Sequence, residues 1–264
     1  MKLKPINPEL TNFPQMLQKY LNDAKLYDSS CSPFAQVTYV EKDGGYFIKR
    51  SELGGLQREV EMTKYFHSKG LSANVLEYHQ DDVYDWMVTT KIPGFDCVEP
   101  IYMSNPEKLI DILVEQLYLL HQEDYTGCPV QNQTELFFEG MKAANKEGKA
   151  DSNFLKVEGL YEISSVEEAC KIVDRFGHEL QSDTLLHGDY CLPNIILNNW
   201  KFSGFIDIDT GGVGDKHVDI FWGIWTLWYN LRTTKYTDRF MDAYGRQHID
   251  KDLLKIVAAA EVFG

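Results

Sequence analysis

The spacing of apolar residues changes period several times along this chain. Residues 14–21 carry a short helical pattern, and residues 36–40 (QVTYV) alternate as a strand does. A turn over Lys42, Asp43, Gly44 and Gly45 leads into a second strand, residues 46–49 (YFIK), so the pair reads as a hairpin with a glycine-containing loop. Residues 56–67 return to helical spacing. Residues 75–78 and 86–89 read as two more strands around the acidic turn Gln80, Asp81, Asp82. Ile92-Pro93-Gly94 is a strong breaker and the expected boundary between a first domain, 1–92, and a second, 93–264.

Beyond that boundary the chain reads as largely helical. Pro106 suits the first turn of a helix running to about His121, with Leu109, Leu113, Leu117 and Leu120 on one face. Residues 145–153 are polar and read as a loop or helix end, and residues 167–180 as another helix. A β-like block follows over residues 184–208, and the chain ends in helices. The expected fold class is α+β, with a small β-rich N-terminal lobe and a larger, mainly helical C-terminal lobe.

Composition narrows the function classes. The 264 residues are enough for a sizeable core, and 44% hydrophobic with 25% charged residues is ordinary for a folded domain. No apolar run is long enough to span a bilayer, and MKLKPINPELTNF lacks the apolar core of a secretory signal, so a cytoplasmic protein without membrane contact is expected. Five scattered cysteines, Cys31, Cys97, Cys128, Cys170 and Cys191, with no C-x-x-C pair, argue for reduced thiols rather than a disulfide or zinc framework. A net charge of −14 excludes a nucleic-acid backbone as partner and favours a cationic small molecule.

The chemistry concentrates in residues 185–209, LLHGDYCLPNIILNNWKFSGFIDID. His187-Gly188-Asp189 is followed by Asn194, five residues after Asp189, and by Asp207 at the end of an apolar strand. Ile195-Ile196-Leu197 and Phe205-Ile206 flank the turn at Asn198, Asn199 and Trp200, which would bring Asn194 and Asp207 to neighbouring strand ends. An amide oxygen and a carboxylate together suit Mg²⁺, a hard cation that keeps several waters. Asp189 is placed to accept a proton from an attacking hydroxyl. This H-x-D-x-x-x-x-N with a strand-terminal Asp is the arrangement of kinases.

HGDYCLPN followed by GFIDIDTGGVGDKHVDI resembles the aminoglycoside phosphotransferases, and among them the 3′-phosphotransferase group. The resemblance implies a two-lobed protein-kinase-like fold, with Mg²⁺ and ATP, or GTP, as cofactors. It implies a catalytic role for Asp189, metal ligation by Asn194 and Asp207, loop support from His187 and a structural role for Asp219. Lys49 and Glu59 match the pair that holds the nucleotide phosphates. Ser32 stands where the family has its phosphate-contacting turn. The Thr90 carbonyl and the Ile92 amide match the hinge that bonds the adenine. His121 matches a family position and is read as structural.

Glu261 and Phe263 resemble the family's C-terminal acidic and aromatic pair, which closes the acceptor pocket. Other acceptor positions depart: Leu192 and Trp228-Tyr229-Asn230 stand where acidic residues are common, and Thr210 where an Arg is. Trp222, Trp225 and Trp228 read as helix core, or alternatively as a stacking surface for a sugar ring. Glu158, Glu162, Glu167 and Glu168 lie in the stretch expected to complete the acceptor pocket. The implied function is a resistance kinase, monomeric or weakly dimeric, transferring a γ-phosphate to an aminoglycoside hydroxyl. A kinase of choline, a sugar derivative or a macrolide is the alternative, and a nucleotide-binding pseudokinase a more distant one. No D-F-G or A-P-E follows Asp207, which disfavours a protein kinase.

Overall fold

The computed structural model describes residues 3–157 and 161–264. In chain order the elements are β1 (Lys4–Ile6), α1 (Gln18–Leu21), β2 (Lys25–Asp28), β3 (Ala35–Glu41), β4 (Tyr46–Glu52), α2 (Gln57–Ser68), β5 (Val75–Gln80), β6 (Tyr84–Thr90), β7 (Phe95–Asp96), α3 (Pro100–Met103) and α4 (Pro106–His121). They continue with α5 (Gln133–Lys146), β8 (Lys156–Val157), β9 (Tyr161–Glu162), α6 (Val166–Phe176), β10 (Thr184–Leu186), β11 (Ile195–Asn198), β12 (Lys201–Phe205), β13 (Gly212–Gly214), α7 (His217–Leu231), α8 (Thr237–Tyr244) and α9 (Lys251–Glu261). Among the described residues no helix is long and apolar enough to cross a membrane. The chain divides into two compact units. The first runs to Asp96 and takes in Ile195–Asn199 and Ser203–Asp209; the second holds the rest.

The first unit is built on an antiparallel sheet of order β1-β2-β3-β4-β6-β5. Strand alternation sorts its side chains onto two faces. Ile48, Val40, Trp86 and Val88 pack with Leu17, Leu21 and Leu26 on one face. On the other, Met87 packs with Leu56 and Val60 at the start of α2. Lys49 follows Ile48 and pairs across the sheet with Met87, so it shares the α2 face.

The N-terminus of α2 has no capping side chain of its own. The need is met from β6, where the fully buried Asp85 accepts from the Leu56 amide at 2.9 Å, Tyr78 Oη at 3.1 Å and Gln80 Nε2 at 2.9 Å. These bonds, with one from the Gly54 amide, outweigh burial and hold the Asp85 carboxyl below its ordinary value. Gly94, at φ +115°, lets the chain pass over β11: a Cβ there would lie 2.2 Å from the Leu197 carbonyl oxygen.

The second unit is mainly helical. Asn105 caps α4 by accepting from the Lys108 amide, and Pro106 occupies its first turn. Leu109, Leu113, Leu117 and Leu120 are all buried, as the helical spacing predicts. Ser165 and Glu168 form a reciprocal cap on α6, with the Glu168 carboxylate accepting from the Ser164 amide. The paired strands β10 and β13 bracket the loop that carries Asp189. α5, β1 and β2 are elements that periodicity alone does not reveal. α5 has too polar a surface, and the two N-terminal strands are only three and four residues long.

Replacing Asp85 by Ala leaves several buried donors unpaired. It should cost about 2–4 kcal/mol, read as a lower urea midpoint, while Asp85→Asn, which retains one acceptor oxygen, should cost less. A loss within about 0.5 kcal/mol for Asp85→Ala would remove Asp85 from this role.

Candidate active site

In the first unit, Lys49 Nζ lies 2.7 Å from Glu59 Oε2 and 2.7 Å from Asp207 Oδ1. Glu59 sits in the first turn of α2, the end that Asp85 holds in place. Burial pulls the Lys49 ammonium down, but Glu59 and Asp207 outweigh it and hold its pKa above the ordinary lysine value. Burial pushes the Glu59 carboxyl up to about 7; Lys49 opposes that, and the charge of Asp207 reinforces it. Asp209 belongs to the same charged group, raised by its own burial and held down in part by Arg58 and Lys49. Asp207 is a non-glycine residue at φ +60°, an uncommon conformation in which its carboxylate stays half-exposed with one oxygen on Lys49.

The other sequence-predicted residues of this unit fall in two places. Ile92 packs with Ala73, Ile196 and Ile206 in a small apolar cluster suited to a flat heterocycle. Thr90 ends β6, its amide bonded to the Asn74 carbonyl and its hydroxyl to the Asn74 amide. Ser32 lies in the turn before β3, where its hydroxyl accepts from the Phe34 amide at 3.1 Å. It is thus a turn-forming residue in this state, with neighbouring amides at the loop surface.

In the second unit, the loop after β10 is pinned from below. Asp219, fully buried on α7, accepts from the His187 amide at 2.8 Å and the Gly188 amide at 2.7 Å. His121 Nε2 lies 3.3 Å from the same carboxylate, and His121 Nδ1 2.7 Å from Tyr244 Oη. Both residues therefore hold the loop, as the sequence reading expects. Gly188 adopts φ +87°, and a Cβ there would sit 1.9 Å from the Thr210 carbonyl oxygen, so no other residue fits.

The loop presents Asp189 to Asn194, whose Nδ2 donates to Asp189 Oδ2 at 2.7 Å and to the Asp189 carbonyl at 3.1 Å. The Cys191 thiol also bonds the Asp189 side chain. Glu261, at the end of α9, is buried, hydrogen-bonded to Trp222, and within electrostatic reach of Asp189. Burial, reinforced by the Asp189 charge, pushes its carboxyl up to about 8. Phe263 is buried in the turn that ends α9, its amide bonded to the Ala260 carbonyl.

The donor chemistry suits a hard cation. Asn194 spends its nitrogen on Asp189, which leaves its oxygen for ligation, and Asp207 keeps one carboxylate oxygen clear of Lys49. Among the described residues no group of three or more His, Cys, Asp or Glu is arranged to hold a metal by itself. A cation at either residue would depend on oxygens brought by a ligand, as Mg²⁺ bound with phosphates does.

The model of the phosphotransferase enzyme family matches residues 35–255. The chain belongs to that family. A probable aminoglycoside 3′-phosphotransferase of Lactococcus lactis subsp. lactis is 45% identical over 262 residues, 99% of each chain. The solved structure of aminoglycoside-3′-phosphotransferase of type VIII superposes with a TM-score of 0.75 at 20% identity, over 95% of this chain and 97% of that one. APH(3″)-Id from Streptomyces rimosus, solved with ADP and streptomycin, gives 0.74 at 17% identity, over 98% and 100%. The fold is thus the kinase-like α+β fold of this phosphotransferase family, and the chain is a phosphotransferase acting on a hydroxyl.

Several parts of the site were not legible in the sequence. Asp85 carries no motif that separates it from surface charge, and Arg58 and Asp209, though they lie within matched stretches, had no role assigned to them. Ile196 and Ile206 were visible only as strand residues. Glu162 is exposed on β9, Glu167 lies exposed in the first turn of α6, and Glu168 is committed to capping that helix, while Glu158 lies outside the described residues. Among the described acidic residues named for the acceptor side, Glu261 is the one within electrostatic reach of Asp189.

The raised pKa of Glu261 has a consequence for stability. Its folded value, about 8, exceeds the ordinary 4.5, so the folded protein binds an extra proton between those values. The stability from that proton is complete below about 4.5 and is lost as the pH rises through 8. Among the described residues, Glu261 interacts with Asp189, the Tyr161 phenol, the Cys191 thiol and the Trp222 indole, and none of these four adds a compensating positive charge. Glu261→Gln should therefore match the wild type near pH 5 and exceed its Tm by at least about 3 °C at pH 9, the shift that roughly 1 kcal/mol gives in a chain of this size. Parallel Tm-versus-pH curves for the two proteins would contradict the assignment.

Proposed function

We propose that this phosphotransferase moves the γ-phosphate of ATP, or of GTP, to a ring hydroxyl of an aminoglycoside, inactivating the antibiotic. The observation that carries the reading is the Asp189 carboxylate, oriented by Asn194 and accompanied by the buried acid Glu261. Asp189 accepts the proton of the acceptor hydroxyl as its oxygen attacks the γ-phosphorus. The new P–O bond forms in line as the bond to the β-phosphate oxygen breaks, and the nucleoside diphosphate leaves with its electron pair. Lys49, fixed by Glu59, neutralises charge on the nucleotide phosphates. Asn194 and Asp207 would hold Mg²⁺, which when bound offsets the charge of the transferring phosphoryl group.

The apolar cluster of Ala73, Ile92, Ile196 and Ile206 is the proposed seat of the purine, with the Thr90 carbonyl and the Ile92 amide as its hydrogen-bonding edge. Amides of the Ser32 turn are proposed to contact the phosphates. Glu261 takes an ammonium of the acceptor and releases its proton when it does so, with Phe263 completing that end of the site. The names of the relatives, aminoglycoside 3′-phosphotransferase above all, support the acceptor class.

Purified protein with Mg²⁺ and either nucleotide should phosphorylate kanamycin-like substrates. Asp189→Ala should lower kcat by roughly 10²–10⁴-fold while nucleotide binding stays within about two-fold. Full turnover in that variant would dismiss Asp189 as the base. Wild-type protein that binds nucleotide tightly yet phosphorylates no aminoglycoside would move the acceptor to another metabolite hydroxyl. Lys49→Ala should instead raise the KM for the nucleotide at least about ten-fold, the loss of one charge-assisted contact, with little change in the acceptor KM.

A further inference from the structure

α7 is apolar on nearly every side, and its sequence reads as a core helix. Ile220, Phe221, Ile224 and Leu227 are indeed buried. Trp222, Trp225 and Trp228 are only half-buried, and Tyr229 is 44% exposed. They recur at helical spacing, so one face of α7 carries a strip of partly exposed aromatic rings.

The strip is rigid and already ordered within itself. Phe154 stacks on Trp225 (centroids 5.4 Å apart, planes at 24°), and Trp225 stacks on Tyr229 (4.8 Å, 11°). The Arg232 guanidinium lies over the Tyr229 ring at 4.5 Å. Trp222 stands apart from this ladder. Phe154, Phe221 and Trp225 meet it only edge to face, at 78°, 74° and 80°. Its side chain bonds Glu261, which in turn senses Asp189.

A second observation points to a ligand. Tyr161 is 9% exposed, and its phenolic oxygen is buried with no hydrogen-bond partner among the described residues. It lies within electrostatic reach of Glu261. A buried hydroxyl without a partner is costly, and its place within reach of a buried acid, on the Phe221 side of α7, suits a ligand bearing hydroxyls. One molecular class answers all three features. An amino-substituted pyranose ring offers C–H bonds to an aromatic face, an ammonium to a carboxylate and a hydroxyl to a phenol.

We propose that Trp222 is a specificity-determining residue of the acceptor site, stacking on an amino-sugar ring while its indole N–H fixes Glu261 and Tyr161 takes a ring hydroxyl. This rests on the acceptor reading given above. The acceptor is then selected by ring shape as well as by charge, and a flexible polyamine of similar charge is a poor ligand.

The test is calorimetric titration of the full chain with kanamycin A and, separately, with spermine, alongside steady-state kinetics. Wild-type protein should bind kanamycin A at least about ten-fold more tightly than spermine. Trp222→Leu should weaken kanamycin A about ten- to fifty-fold, raise the acceptor KM more than it lowers kcat, weaken spermine by no more than about three-fold, and leave ATP binding unchanged. If Trp222→Leu fails to fold, Trp222→Met fills similar space without a ring face and should show the same selective loss. Trp222→Phe, which keeps a ring face but loses the N–H to Glu261, should bind kanamycin A more weakly than wild type yet at least about three-fold more tightly than Trp222→Leu. Leu and Met variants that bind kanamycin A as wild type does would overturn the role of Trp222 alone. Wild-type protein that binds kanamycin A without phosphorylating it would sink the proposed activity, with the role of Trp222 still decided by the variants. Protein that binds neither compound would overturn both.

Discussion

One ammonium group, that of Lys49, compensates the carboxylates on which the first unit is organised. Glu59 and Asp207 touch it, Asp209 lies close, and Arg58 adds a second positive charge to the group. Buried pairs of this kind gain little net stability over apolar packing, but breaking one leaves an uncompensated charge and is strongly unfavourable. The surrounding fold is therefore committed to keeping Lys49 where it is. Strand alternation sends it to the α2 face, and Asp85 fixes the end of the helix that carries Glu59. Asp207 is reached through a left-handed residue, a local cost that only a well-determined neighbourhood sustains. On the proposed reading, a nucleotide polyphosphate would meet an ammonium that is already desolvated, oriented and charged.

The second unit handles negative charge by other means. Asp219 is satisfied by two backbone amides and a histidine, and Asp215 by the Gln181 and His217 amides and the His217 ring, with no Lys or Arg in either set. Amide donors stabilise a carboxylate without a mobile counter-ion, so both can serve as fixed joints. Asp189 and Glu261 differ from them. Their bonds come from an amide, a thiol and an indole, and two acids lie within electrostatic reach of each other. That arrangement is unfavourable in the free protein and favourable once a cation arrives, which turns local instability into affinity for an amine.

Much of this was legible in the sequence because the relevant signals are local. Asp189, Asn194 and Asp207 lie within nineteen positions, and Pro106 with four spaced leucines specifies α4 as it is found. Lys49 and Glu59 were paired on the resemblance, since a Lys and a Glu ten residues apart carry no pairing signal of their own. What escaped depends on long-range placement. Asp85 is one acid among many until its strand is seen to pass beneath Gly54 and Leu56. Most of the hairpin that leads to Asp207 joins the first unit although residues 97–194 separate it from Asp96, and no period or breaker encodes that return. The exposure of Trp222 and Trp225 could not be read either, since an apolar helix looks the same whether its last face meets protein or ligand.

The loss of acidic residues at positions such as Leu192 and Tyr229 is best understood together with the gain of aromatic ones. A pocket lined by several carboxylates binds amines by charge, which is long-ranged and tolerant of geometry. It also accumulates mutual repulsion that some other part of the fold must offset. With Glu261 kept as a single buried acid, most of that repulsion disappears, and the strength of the remaining ion pair rises with its desolvation. The aromatic wall of Phe154, Trp222, Trp225 and Tyr229 then supplies contact area that is stiff, apolar and indifferent to salt. On the proposed reading, orientation of the hydroxyl at Asp189 would follow from the ring plane rather than from a balance among many charges. A phosphotransferase needs that precision, because in-line transfer fails when the attacking oxygen is displaced by as little as about 1 Å.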